Sequence, residues 1–355
     1  MSKVHIKNIS RVFISLILFA LTSGLYAQTV PGWVNGLERT FPSREWVAVT
    51  AQGASQAQAE GAAMDALARA FKTDVASLTQ SSQQFSQIVS GASGNRNITF
   101  DESREFSQEV NVSANVRGLI GVQIDVYRAP DRTVYVNARM NRRESAARYS
   151  GMVRENTAII NTLLAAAAPI RGTFEVYSRL SFAHALAQVT DNFQNILEVL
   201  DSSAANRRPA YGGADAIKVK MLECAALITI GVVVETAQAA DRTLLTRAAG
   251  SFFRDRGFRI IEQSAPAAAG GDYVLRINAR FETLNQNVIS CRYYLDAALA
   301  NKNGLSVFSF TEDDRKAHPN NQSEARRLAV RAAETSIKEE KFAREFDTWL
   351  NSLLD

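Results

Sequence analysis

The residues whose type and spacing come nearest to a reactive centre are Gly53-Ala54-Ser55-Gln56-Ala57. A serine among small residues at a strand-to-helix turn is where a hydrolase carries its nucleophile. That motif needs glycine at its fifth position so that the strained turn packs closely, and here the position is Ala57. The base would have to be His184, within a helical run of apolar neighbours, or His318, beside Pro319 in a polar stretch. Ser55 is followed three residues later by Gln58, the spacing at which both side chains cap free backbone N–H groups at a helix start. Capping accounts for Ser55 without catalysis.

The remaining candidates are equally sparse. Cys224 and Cys291 are the two cysteines, and no CxxC occurs, so neither a redox pair nor a thiolate zinc site is expected. In an oxidising compartment they could form a disulfide. The alternative is two buried thiols acting as small apolar groups, and sequence cannot supply the Cα separation that would decide. Glu312-Asp313-Asp314 could touch a divalent cation, but beside Arg315 and Lys316 it reads as a solvated acidic turn. Gly212-Gly213 and Gly270-Gly271 lack the spacing and following lysine of a phosphate loop and read as linkers. No catalytic, cofactor or metal residue is assigned, and the chain is read as not an enzyme.

The elements that would hold such residues follow from periodicity. Residues 1–27 have the order of a cleavable signal peptide: Lys3, Lys7 and Arg11, an apolar run from Val12 to Leu21, then small residues up to Ala27. The run is about 10 residues, against the ~20 needed to span a bilayer. No later stretch reads as a membrane span, and no cysteine adjoins the cleavage point for lipid attachment. The whole chain carries 40 basic and 36 acidic residues, but three of the basic ones lie in the signal. The remainder is nearly neutral, which gives no electrostatic case for binding nucleic acid.

Trp46–Thr50 reads as a strand, followed by an Ala-rich helix with Met64, Leu67 and Phe71 on one face. Residues 73–116 are polar, with hints of strands and a Gly/Ser/Asn-rich loop at Ser90–Asn97. Leu119–Tyr127 and Val134–Ala138 read as a hairpin. From Asn141 the period becomes helical, giving one long helix that ends near Pro169 and a second from about Gly172 to Leu200. Ser202–Gly213 reads as a linker. Beyond it, Ile217, Val219 and Met221 alternate with lysines as in a half-exposed strand, and Ala226–Val234 reads as a buried one. Asp241 would cap a helix closed by Gly257. A strand at Phe258–Ile261, another carrying Tyr273, Leu275, Ile277 and Ala279, and a hairpin around Asn303-Gly304 come next. One last helix begins at Asn321. The fold class is therefore mixed α+β and α/β: two sheet-plus-helix domains joined through a helical hairpin. The expected boundaries are a signal peptide (1–27), an α+β domain (28–145), a helical hairpin (146–201), a linker (202–213) and an α/β domain (214–355).

Pro31-Gly32-Trp33, the strand and turn at Val47–Gly53, Ser55 with Ala59-Glu60, Leu119–Ile124 and Val134–Ala138 together resemble the LPP20-like envelope domain over residues 30–145. The element order after residue 214 is similar to the second domain of the flagellar assembly protein FlgT and to the N-terminal domain of TolB. The resemblance implies an exported protein with no defining enzyme activity, and supplies no catalytic residues. Export, two modest domains and no chemical constellation point to a non-catalytic structural or adaptor component of the cell envelope, for example in a flagellar assembly. Its partners would be envelope proteins or further copies of itself. It would reside in the periplasm, free there or associated with the outer membrane. The alternative is a periplasmic binding module for a small molecule or a peptidoglycan fragment; a hydrolase ranks below both.

Overall fold

The computed structural model describes residues 29–71, 119–262, 271–285, 289–319, 321–339 and 341–354. The expected signal peptide, and the strands and loop expected within residues 73–116, lie outside them. The described residues form a mixed α and β architecture with a three-stranded and a five-stranded sheet. The described residues divide into two compact units, one of residues up to 67 together with 123–140, the other of the described residues from 68 to 122 together with those from 141 onward.

In the first unit two short helices, α1 (Gly32–Asn35) and α2 (Leu37–Thr40), precede strand β1 (Trp46–Gly53) and helix α3 (Gln56–Ala70). The hairpin β2 (Gln123–Arg128) and β3 (Val134–Asn141) completes a sheet of order β1-β3-β2. In central β3, Val136, Ala138 and Met140 are fully buried on one face. Helix α3 starts as its sequence dictates: the Gln58 N–H donates to Ser55 Oγ at 3.3 Å, and the Ala54 N–H donates to Gln58 Oε1 at 3.1 Å. A buried Asn137 donates to the Val49 carbonyl at 3.1 Å, fixing β1 against β3. Arg139 pairs with Asp125 and lies 4.4 Å from the centroid of Phe41, which meets Trp46 edge-on.

The second unit opens with α4 (Arg142–Ala166) and α5 (Phe174–Leu200), an antiparallel pair of long helices. Asn141 and Thr173 cap their starts, accepting from the N–H groups of Glu144 and Val176. The helices are locked by Tyr149 against Phe193, with ring centroids 5.5 Å apart, and by an Asn156–Thr190 hydrogen bond of 3.1 Å. After a 3-10 turn at Ser202–Arg207 comes α6 (Ala214–Leu227), then β4 (Thr229–Glu235), α7 (Ala239–Arg254) and β5 (Arg259–Glu262). The long strands β6 (Tyr273–Asn285), β7 (Ile289–Asn301) and β8 (Ser306–His318) follow, and α8 (Gln322–Glu339) and α9 (Lys341–Asn351) end the unit. The strand order is β5-β4-β6-β7-β8; β5 and β6 lie parallel to β4, while β6, β7 and β8 run antiparallel.

One core runs through the sheet and into the start of α5. Phe174 touches Phe258, Tyr273, Phe346 and Trp349, with centroids 4.5 to 5.9 Å apart. Such tilted and edge-on aromatic pairs add to the stabilisation from buried area.

Several expectations for this unit are corrected. Residues 217–221 are helical, not a strand: Ala214, Ile217, Cys224 and Ala225 are buried at helical spacing, and Val219 is exposed. Glu312-Asp313-Asp314 is no turn but the middle of β8, and Glu312 is buried. Its charge is compensated by groups distant in the chain: Tyr293 OH donates to it at 2.9 Å, Lys341 pairs with it at 2.8 Å, and Ser336 donates to its second oxygen. Asp241 does not cap α7; it sits in the first turn, while the cap position is Gln238. The last helical stretch is two helices, of which the first is capped by Asn321 as expected.

Candidate functional site

The open part of the second unit follows from its topology. The chain leaves β4 through α7 towards β5 on one side, whereas β6 lies on the other side of β4 and turns away into β7. Connections that diverge from neighbouring parallel strands leave a crevice at the strands' carboxyl ends, the usual place for a ligand in an open α/β sheet. A cleft of about 400 Å³ occupies that position here, lined by Glu235 at the end of β4, Thr236 and Ala237 after it, Asn278 to Glu282 of β6, and Arg326 of α8. Its size falls within the range of small-ligand pockets.

Each lining group is placed by its element. Strand β4 is apolar from Ile230 to Val234 because both its faces are covered, and its first charged side chain, Glu235, appears where it ends. Along β6 the side chains alternate: Ala279 is buried and Phe281 half-buried, while Asn278, Arg280 and Glu282 are exposed. Arg326, in the first turns of α8, pairs with the buried Asp241 of α7, and its guanidinium lies 5.0 Å from the centroid of Phe281. Its Nε is buried without a hydrogen-bond partner among the described residues. Arg280 lies 5.2 Å from the ring of Tyr294 and 3.9 Å from Asp296. The cleft therefore offers an aromatic face, an amide and charges of both signs.

The residues singled out from sequence lie elsewhere. The Ser55 hydroxyl accepts the capping N–H of Gln58. His184, half-buried on α5, has its pKa lowered by burial and then by the positive charge of Lys218, with Asp215 and Asp191 acting in the opposite sense. His318 ends β8. Cys224 and Cys291 are both free and buried. The Cys224 thiol donates to the Arg171 carbonyl at 3.1 Å, and burial pushes its pKa up to about 11. Among the described residues there is no group of three His, Cys, Asp or Glu side chains placed to hold a metal ion. Nor is any described helix long and apolar enough to cross a membrane.

Sequence reasoning passed over Arg280, Phe281, Glu282 and Arg326. The Asp241–Arg326 pair joins residues 85 apart in the chain, and no local spacing announces it. A usable signal was Glu235, the first charge after an apolar strand and just before a helix.

No family model matches the chain, and no curated protein matches it. Among solved structures it is similar to a secreted protein of Helicobacter pylori, at 12% identity and a TM-score of 0.37, over 82% of this chain and 97% of that one. It is similar to a lipoprotein of Neisseria meningitidis, at 20% identity and a TM-score of 0.23, over 31% of this chain and 97% of that one. A minor lipoprotein of Acinetobacter baumannii matches at 13% identity and a TM-score of 0.23, over 35% of this chain and 92% of that one. TM-scores this low do not establish a shared fold, and the neighbours give no support to a FlgT- or TolB-like second domain.

Proposed function

We propose that the chain is an exported, non-catalytic protein of the cell envelope that acts as a structural or adaptor component of a periplasmic assembly. The observation that carries this reading is the cleft at the ends of β4 and β6. Its Arg326 already pairs with Asp241 of α7, and the other lining groups, among them Arg280, Phe281 and Glu282, form a surface for contact. The charge-apolar-small order of residues 1–27 supports export. Crosslinking in the intact native envelope, followed by identification of the attached proteins, tests the reading. Specific envelope partners, or further copies of the chain, are expected; recovery of only the uncrosslinked monomer overturns it.

A second reading, a binding module for a small molecule or peptidoglycan fragment, is favoured by the volume of the same cleft and the unpaired Nε of Arg326. A thermal shift on adding soluble muropeptides, absent in an Arg326→Ala variant, would select it over the adaptor reading.

A further inference from the structure

The hydrogen-bonding edge of β6 is only half used. Its register with β4 ends at Glu235 opposite Asn278, whereas its register with β7 continues to Asn285 opposite Ile289. Over Ala279–Asn285 the side of β6 away from β7 has no strand partner among the described residues, and Ala279–Glu282 of this stretch line the cleft. At the rise of a strand it extends roughly 23 Å. An unpaired edge presents backbone N–H and C=O groups that another strand satisfies.

The two outer edges of the sheet are worse templates. Strand β5 is only Arg259–Glu262. Strand β8 is long, but it carries the charged run Glu312-Asp313-Asp314-Arg315-Lys316, and its Glu312 points inward. Inward charges and charged runs are devices that keep an edge from pairing. The free part of β6 has no such run. It alternates the exposed Arg280 and Glu282 with the buried Ala279 and half-buried Phe281.

We propose that Ala279–Asn285 of β6 receives an added β-strand from an extended segment of a protein partner, laid in the cleft along the line that β4 vacates. The proposal rests on the adaptor reading and names the chemistry of the partner. Directly opposed cross-strand side chains interact most strongly. The incoming segment therefore carries an acidic residue opposite Arg280 and, two positions along, a basic residue opposite Glu282. Its intervening residue faces the half-buried Phe281.

The test uses the full chain, purified from the exported fraction, and a displayed library of random decapeptides as the probe. Selected peptides should pair an acid and a base two residues apart. In hydrogen-exchange measurements they should slow the alternate amides of 279–285 that point away from β7 by at least about tenfold while leaving 306–318 unchanged. N-methylation of alternate peptide amides should weaken binding at least about tenfold, because it removes ladder donors. The double variant Arg280→Glu with Glu282→Arg keeps the fold, since both side chains are exposed, and should reverse the selected charge order. Failure to select any peptide, protection elsewhere, or indifference to N-methylation overturns strand addition. Envelope crosslinking that finds partners despite such a failure leaves the adaptor reading standing; crosslinking that finds none removes both.

Discussion

The two cysteines show how burial decides reactivity. Each lies in the core of the second unit, Cys224 on α6 and Cys291 on β7. With the Cys224 pKa pushed up to about 11 by desolvation, little thiolate exists at neutral pH, and thiolate is the nucleophile. The native protein should resist a maleimide or aromatic disulfide reagent, and both thiols should react once urea unfolds it. Prompt labelling of native protein, or labelling of neither thiol after unfolding, would contradict this arrangement. His184 gives a second prediction, on pH. Burial and Lys218 hold its folded pKa below the ordinary 6.5, so the unfolded chain binds the proton more readily. Its contribution to stability is complete above the unfolded value and is lost as pH falls towards the lowered folded one. A His184→Gln variant should lose less urea resistance than the parent between about pH 8 and pH 5.5. Equal losses in the two proteins would show that the imidazole does not contribute.

Helix α6 shows an element made by its neighbours. Its start is set by Gly213 at φ 88°, and no side chain of its own caps it. Asp191 of α5 supplies the cap, accepting the Ala214 N–H at 2.8 Å and the Tyr211 hydroxyl at 2.9 Å. A carboxylate there satisfies an orphan donor and complements the helix dipole. Asp191→Ala should therefore cost roughly 1–2 kcal/mol in urea unfolding and speed amide exchange in the first turn of α6; Asp191→Asn should cost less, because an acceptor remains. Unchanged exchange in that turn would remove Asp191 from the role. The same element explains why sequence misled. Ile217, Val219 and Met221 alternate with lysines as a strand would, and the group that starts the helix instead lies on α5. Where the signal is local, the reading succeeds. Asn321 and Ser55 cap the helices they precede, the helical period that begins at Asn141 is a helix, and Gly304, at φ 76°, turns β7 into β8. Where a charge is neutralised from afar, as Glu312 is by Lys341, the run looks like solvent-exposed turn and the strand's continuation past Phe310 is missed. The cleft belongs with these misses. Its walls come from three strand and helix ends that only the sheet's strand order brings together.

On the scale of the whole chain, composition and processing must be argued together. The full sequence is basic, with a formal charge of +4 and an isoelectric point near 9.1. A protein that keeps this charge would be drawn to anionic lipid and nucleic acid alike. On the proposed export reading, loss of residues 1–27 would remove Lys3, Lys7 and Arg11 and leave 37 basic residues against 36 acidic ones. On the same reading, association with envelope partners would come from local surfaces, such as the cleft and the β6 edge, rather than from a long-range field. The exported product should begin at Gln28 by intact mass and should focus well below the value for the full chain. Its binding to envelope partners should fall only modestly as salt rises, by the screening of the charge pairs at Arg280 and Glu282, because the backbone ladder is not screened. An intact Met1 on the exported protein would overturn cleavage. Steep loss of partner binding between low and physiological salt would instead move the contact from a hydrogen-bonded strand edge to charged groups.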